Sequence, residues 1–323
     1  MANKTLQKAR KNKNDEFYTQ LTDIEAELKH YKDHFKGKVV LCNCDDPRIS
    51  NFFHYFSYNF EHLGLKKLIP TCYKSQEADL FSQHNSERAI YLEYTGNKTG
   101  GRVPVAEEIG IKELKGDGDF KSIECIELLK QADIVVTNPP FSLFREYVAQ
   151  LITHKKNFLI IANQNAITYK EIFSLIMQNK IWLGYKSGDM SFKVPANSEP
   201  RATRYWQDST GQKWRSMGNI CWFTNLDHQK RHEELILYKK YTPEEYPKYD
   251  NYDAINVDKT ADIPCDYDGV MGVPITFLDK YNPEQFEILG LDRYVDDNPR
   301  YGHRFLMNGQ EKYARILIRK RGK

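Results

Sequence analysis

The residues that point most directly to chemistry are Asn138-Pro139-Pro140-Phe141. The Asn138 side-chain oxygen and the Pro139 carbonyl offer two hydrogen-bond acceptors side by side. Two prolines fix φ and lack N–H groups, so the carbonyl between them is held stiffly. Phe141 adds a flat apolar face on which a ring can lie. An exocyclic amine on a heteroaromatic ring, such as that of adenine, needs this arrangement. Its lone pair is shared with the ring, and acceptors for its two hydrogens let the nitrogen move toward tetrahedral geometry as it attacks. Methyl transfer from a sulfonium to such an amine is a direct in-line displacement. The protein then supplies positioning and electrostatics rather than a covalent intermediate. An Asp/Asn-Pro-Pro-aromatic tetrapeptide should arise by chance in well under ~1% of chains of this length. The plainer alternative is a turn in which the prolines merely stop a strand.

The segments around the tetrapeptide predict how it is positioned. The apolar, β-branched run 132–137 predicts a strand leading straight into it. Further strands are expected at 38–43, 66–73, 158–162, 181–184 and 220–224, and helices over 50–64, 122–131, 142–154 and 169–179. Such alternation predicts an α/β fold, a mostly parallel sheet with helices on both faces. Ligands in such sheets sit beyond the carboxyl ends of the strands, which puts the loops 43–47 and 138–141 on one rim. Residues 88–105 predict a hairpin turning through the Gly-rich stretch 95–101, which fits no phosphate-loop spacing. After about residue 240 tyrosine, proline and acids dominate and the alternation stops. Residues 1–240 therefore read as the cofactor-binding and catalytic domain. Residues 241–323 read as a separate, smaller and less regular region, with strands at 270–277 and 316–318 as candidates.

The chain has 323 residues and a net charge of +3, unevenly spread. The first thirteen residues, with Lys11 and Lys13 among them, carry +5, and residues 300–323, with Arg315 and Arg319, carry +7, leaving −9 for the rest. Basic ends on an acidic body suit a polyanion held at chosen places, although solvated tails would look the same. Between the last two strands Arg201, Arg204, Trp206, Lys213, Trp214 and Arg215 mix cations with aromatics. They make either a DNA-facing loop that reads guanine edges or phosphates, or a solvated hairpin. No apolar stretch approaches the ~20 residues of a membrane span, and no secretory signal is expected. The six cysteines do not form a disulfide framework, and the lone Cys42-x-Cys44 pair does not make a zinc site. A cytoplasmic protein without metal is expected.

At this point the sequence resembles amino-methyltransferases that act on DNA, and closely the EcoRI-type adenine methylases. The segment Asp15-Glu16-Phe17-Tyr18-Thr19 is similar to the amino-terminal stretch that packs along the methionine part of the cofactor. The run from Asn43 through Cys44, Asp45, Asp46, Pro47, Arg48, Ile49, Ser50 and Asn51 to Phe53 matches one found in EcoRI-type enzymes. Gly118-Asp119-Phe120 resembles the segment whose acid and aromatic hold the cofactor's adenine. The resemblance covers nearly the whole chain, and its motif order implies that residues 241–323 are the target-recognition and DNA-binding region. It implies the S-adenosylmethionine-dependent methyltransferase fold with an antiparallel last strand, and a monomeric enzyme with S-adenosylmethionine as donor. It also implies double-stranded DNA as partner, a palindrome such as GAATTC as target, and protection from a cognate restriction endonuclease. Phe17, Tyr18, Thr19, Asn43, Cys44, Asp45, Asp46, Asp119 and Phe120 would then contact the cofactor. A base in a duplex must be flipped out to reach such a pocket, at a cost of a few kcal/mol.

The sequence departs from the class in two places. The usual Gly-x-Gly turn after the first strand is replaced by residues 43–47, without glycine. The usual ribose carboxylate after the second strand is replaced by Thr71, Cys72 and Tyr73. Asp45 and Asp46 could take over that polar work or simply form a capping turn, and Asp119 could equally be a cap. Phe17 and Tyr18 could be core aromatics. Two rival functions remain: an amino-methyltransferase acting on RNA or on a protein glutamine, and a non-catalytic sequence-specific DNA-binding protein.

Overall fold

A computed structural model describes residues 19–43, 46–73, 88–194, 198–295 and 303–322. Phe17, Tyr18, Cys44, Asp45, Lys11 and Lys13 lie outside the described residues. The chain divides into two compact units, residues 1–164 with 186–226 and residues 165–185 with 227–323. The composition shift near residue 240 thus falls inside the second unit.

The first unit is built on a nine-stranded sheet among the described residues. Its strands are β1 (Val39–Asn43), β2 (Lys67–Cys72), β3 (Ile90–Tyr91), β4 (Lys112–Glu113), β5 (Ile134–Thr137), β6 (Asn157–Asn163), β7 (Trp182–Lys193), β8 (Tyr205–Gln207) and β9 (Lys213–Thr224). They lie in the order β4-β3-β2-β1-β5-β6-β9-β7, with β8 on β9. β1 pairs in parallel with β2 and β5, and β5 with β6. β9 is antiparallel to β6, as expected for the last strand. The segment at 88–105 is not a free hairpin: β3 adds antiparallel to β2, and only an isolated bridge joins Thr99 to Arg102. The glycines 96, 100 and 101 take positive φ there, so the stretch is spent on turning.

Alternation along the central strands divides the core between the two faces. Val40, Cys42, Ile134, Val136, Leu159 and Ile161 share one cluster with Phe52, Phe56 and Trp222. Ile24 and Leu28 of helix α1 (Leu21–Leu28) join that cluster, as do the aromatics of α2 (Asn51–Tyr58). Ser50 starts α2 by accepting from the Phe53 N–H at 3.3 Å, a standard N-cap. After the one-turn α3 (Ala106–Ile109), Ser122 caps α4 (Ile123–Gln131) in the same way, at 3.2 Å from the Cys125 N–H. Helix α5 (Phe144–Thr153) buries Phe144, Tyr147, Val148 and Leu151, one helical face, and Phe144 meets Phe223 with ring centroids 5.0 Å apart.

The second unit contains α6 (Lys170–Met177) and a five-stranded sheet, more regular than the sequence suggests. Its strands are β10 (Lys248–Tyr249), β11 (Tyr252–Asn256), β12 (Met271–Pro274), β13 (Phe286–Leu291) and β16 (Arg315–Lys320), in the order β10-β11-β12-β16-β13; β14 (Leu306–Met307) and β15 (Gln310–Glu311) form a separate pair. The basic carboxyl-terminal stretch is therefore not a solvated tail. Ile316, Leu317 and Ile318 are fully buried, and β16 lies between β12 and β13, antiparallel to both.

Candidate active site

Because β1, β5 and β6 are parallel and in register, their carboxyl ends form one rim carrying Asn43, Thr137-Asn138 and Asn163. The tetrapeptide follows β5 because Pro139 and Pro140 cannot donate to a ladder. The chain then turns at once, with the Leu143 N–H donating to the Pro140 carbonyl at 2.9 Å, and enters α5. Asn138 is 7% exposed. Its Nδ2 donates to the Thr19 hydroxyl at 3.1 Å. Thr19, also buried, accepts at its carbonyl from Asn51 Nδ2 at 2.7 Å. Phe141 is half-buried and packs against the cluster that holds Phe52 and Trp222.

A second set of polar contacts ties the rim together. The Thr137 hydroxyl donates to the Asn43 carbonyl, and the Tyr147 hydroxyl donates to Asn43 Oδ1. Tyr147 in turn meets the Phe120 ring edge-on, with centroids 5.1 Å apart. Phe120 is fixed through its carbonyl, which accepts from Gln150 Nε2 at 2.8 Å. Gly118 brings this segment against the end of β2. Its φ is +79°, and a Cβ there would stand 2.5 Å from the Cys72 carbonyl oxygen, so no other residue fits without moving backbone. Thr19, Asn43, Phe120 and Asn138 thus lie on one connected set of contacts.

The two described carboxylates are occupied locally. Asp46 is 6% exposed, and Oδ1 accepts from the Arg48 N–H and Nε, both at 2.9 Å. That ion pair raises the Arg48 pKa, through the hydrogen bond to Asp46 first of all. Asp119 accepts from the Lys121 N–H at 2.9 Å and shapes the turn before α4. Tyr147, Thr137 and Asn51 were not singled out in the sequence. Asn51 stands within the family-like run, and Thr137 directly precedes the tetrapeptide. The helical spacing of 144, 147, 148 and 151 marks a buried face, but not what the Tyr147 hydroxyl meets.

The cations fall into three groups. Asn163 pairs with Ile220, so residues 213–219 of β9 run past the rim by roughly 23 Å at ~3.3 Å per residue. On this ribbon Trp206 opposes Trp214 and Tyr205 opposes Arg215. The Trp rings stack at 6.2 Å with an interplanar angle of 5°, and Trp214 Nε1 donates to Asp208 at 2.8 Å. Met217, two residues from Arg215 and so on its face, joins the cluster against which Phe141 and Tyr205 pack. Arg215 is half-buried, and its pKa is pushed down to about 10 by burial and then by the charge of Arg201. Arg201 is exposed; Arg204, at a φ of 56°, lies 3.4 Å from Asp189. Arg319 is half-exposed and paired across the strands with Glu287 at 2.8 Å. Arg315 corrects the sequence reading. Its side chain is 6% exposed and reaches Asp258 at 2.9 Å, so it is a core cation and not the exposed one that a basic tail would offer.

Among the described residues no three or more His, Cys, Asp or Glu side chains converge as a metal would need. No described helix is long and apolar enough to cross a membrane.

An open α/β sheet with a buried asparagine and two prolines at the end of a central strand fits a methyltransferase. The family described as "Adenine-specific methyltransferase EcoRI" matches residues 5–321. The chain is 54% identical to the type II methyltransferase M.EcoRI of Escherichia coli over 98% of its own length and 96% of that protein. It is 38% identical to the type II methyltransferases M.MgeORF184P of Mycoplasma genitalium and M.MpnI of Mycoplasma pneumoniae, each over 97% of this chain and 98% and 97% of the relatives respectively. The chain belongs to this family of adenine-specific DNA methyltransferases. No solved structure matches it.

Proposed function

We propose that the protein transfers a methyl group from S-adenosylmethionine to the exocyclic amine of an adenine flipped out of duplex DNA, within GAATTC, as a monomer. The observation that carries this reading is the buried Asn138 amide at the rim, held from its nitrogen edge by Thr19. In this reading Asn138 Oδ1 and the Pro139 carbonyl accept the two amine hydrogens. Pro140 keeps that carbonyl rigid, and Phe141 stacks on the base. S-adenosylmethionine, when bound, supplies an electrophilic methyl on a sulfonium.

The residues at the rim fit such a donor. Phe120 offers an aromatic face, and the Gly118 turn seats it against the end of β2. Asp46 and Asp119 bring carboxylates to the same rim, although each also holds its own turn. Asn43 acts by fixing Tyr147 and, through it, Phe120. Phe17, Tyr18, Cys44 and Asp45 complete the donor site in this reading, with Lys11 and Lys13 on the DNA. The ribbon arginines Arg201, Arg204 and Arg215, together with Arg319, meet DNA beside the flipped base. GAATTC rests on the resemblance to EcoRI-type enzymes. Modification of that site would protect DNA from a cognate restriction endonuclease.

Labelled methyl transfer to two short duplexes tests this, one with GAATTC and one with its adenines in other contexts. Label on the first alone is expected. Label on both would refute the target, and label on neither, with RNA labelled instead, would refute DNA as substrate.

A further inference from the structure

The rim described above has two halves. The loop after β1, running through Asp46 and Ser50 into α2, belongs with the methyl donor. The loop after β5, Asn138–Phe141, belongs with the acceptor amine. Thr19 touches both. Its carbonyl accepts from Asn51 at the start of α2, and its hydroxyl accepts from Asn138 at the end of β5. Thr19 is 2% exposed, so water does not compete for these contacts. Both halves are thereby referenced to one residue.

The chemistry makes that reference matter. A planar amide carries its nitrogen and its oxygen on opposite edges. Holding Asn138 Nδ2 against Thr19 therefore fixes the direction of Oδ1. In-line displacement tolerates little error, and about 1 Å of misplacement can cost a factor of about 10². We propose that Thr19 is a positioning residue for the methyl transfer: its hydroxyl, accepting from Asn138 Nδ2, anchors the amide so that Oδ1 faces the target amine, and its anchoring to Asn51 keeps that amide in register with the donor half of the rim. The proposal rests on the catalytic role given to Asn138.

Thr19 does not contact the reacting atoms in this reading, so its loss should slow the chemical step beyond any loss of donor affinity. Thr19→Val keeps the shape and deletes the hydroxyl. Single-turnover methyl transfer at saturating donor and duplex should fall about 10- to 100-fold. Duplex affinity, by anisotropy, should stay within about twofold, and any fall in affinity for S-adenosylmethionine, by calorimetry, should be smaller than the fall in rate. Thr19→Ser restores the hydroxyl and should bring the rate back to within a few-fold of the original. Asn51→Ala, which frees the Thr19 carbonyl contact but keeps the hydroxyl, should give a smaller loss of the same kind.

Equal loss in the Val and Ser variants would overturn the proposal, because packing rather than the hydroxyl would then be responsible. So would a Val variant whose rate is unchanged, or whose only defect is weaker donor binding. Each variant is read against the unaltered enzyme. Absence of transfer by that enzyme would instead be a failure of the function proposed above.

Discussion

A compact polar cluster in each unit can be set against the other, and the two differ in kind. In the first unit Thr19, Asn43, Asn51, Thr137, Asn138 and Tyr147 are joined at the end of the parallel strands, and none carries a formal charge. In the second, Arg315 reaches Asp258 at 2.9 Å and Asn256 at 3.2 Å. Asn256 Nδ2 donates to Asp258 at 3.0 Å, and the Tyr249 hydroxyl donates to Asn256 at 2.9 Å. Burial pushes the Tyr249 hydroxyl pKa up, against the pull of Arg315. A buried cation is tolerated only with its partners in place, and those partners use up what it could offer a ligand. A neutral amide costs less to bury and can be aimed. The cluster with the charges holds a sheet together, while the uncharged one stands where the strands open to a substrate.

Two substitutions sharpen that contrast. Asn138→Ala should lower methyl transfer by about 10³-fold or more, the scale of losing an aimed hydrogen-bonding group in a preorganised site. Duplex affinity, followed by anisotropy, should barely change. Survival of activity would move Asn138 into the same class as Arg315. Arg315→Ala should do the reverse. It removes the buried cation from between Asn256 and Asp258 and leaves a gap in the sheet, and should cost about 3 kcal/mol in urea unfolding. A variant as stable as the parent would show that Arg315 is not the organiser of that cluster.

A third prediction concerns a carboxylate of the second unit whose state depends on ordinary pH. Asp292 is fully buried, and burial raises its pKa to about 6, against the pull of Arg304 and nearby backbone N–H groups. The folded form therefore holds a proton that the unfolded form releases near pH 4. Stability from this group is present below pH 4 and is lost as pH rises from about 4 to about 6. Asp292→Asn should remove that dependence and stabilise the protein at pH 7 by about 2 kcal/mol relative to pH 4. Equal effects of the substitution in urea unfolding at both pH values would show that Asp292 does not titrate in this range.

The same contrast explains what was legible in the sequence. The tetrapeptide, the strand before it and the rim could be read, because proline chemistry and period-two apolar runs are local signals. That the strands at the rim run parallel followed from the alternation of strands and helices. The contacts of Thr19 with Asn51 and Asn138 could not be read, since they join residues 32 and 119 positions apart and involve side chains common on any surface. Arg315 was misread for a physical reason. In Arg315-Ile316-Leu317-Ile318-Arg319-Lys320 the cations look like a basic tail, but three consecutive fully buried apolar residues make the segment a central strand. Arg315 and Arg319 point to one face by alternation, yet one is buried against Asp258 and the other half-exposed against Glu287. Which of the two meets solvent is set by strands distant in sequence.

The smallest expected effect concerns the ribbon, where a charge sits between the two extremes. Arg215 is half-buried, like neither the core Arg315 nor a fully exposed cation, and the charge of Arg201 adds to burial in pushing its pKa down. Two guanidinium groups near one another repel, and an anion relieves that repulsion where a neutral guanine edge does not. A phosphodiester is thus the better match for the pair. Arg215→Gln should weaken binding a few-fold on GAATTC and on unrelated duplexes alike, and should reduce the slope of log affinity against log salt by about 1. If Arg215 instead read a guanine, the loss would be confined to the cognate duplex, with preference at one base pair relaxed by about 1–3 kcal/mol. Titrations of both duplexes at several salt concentrations separate these outcomes. A variant with unaltered affinity and slope on both would place the ribbon arginines with Arg315, as cations that serve the fold.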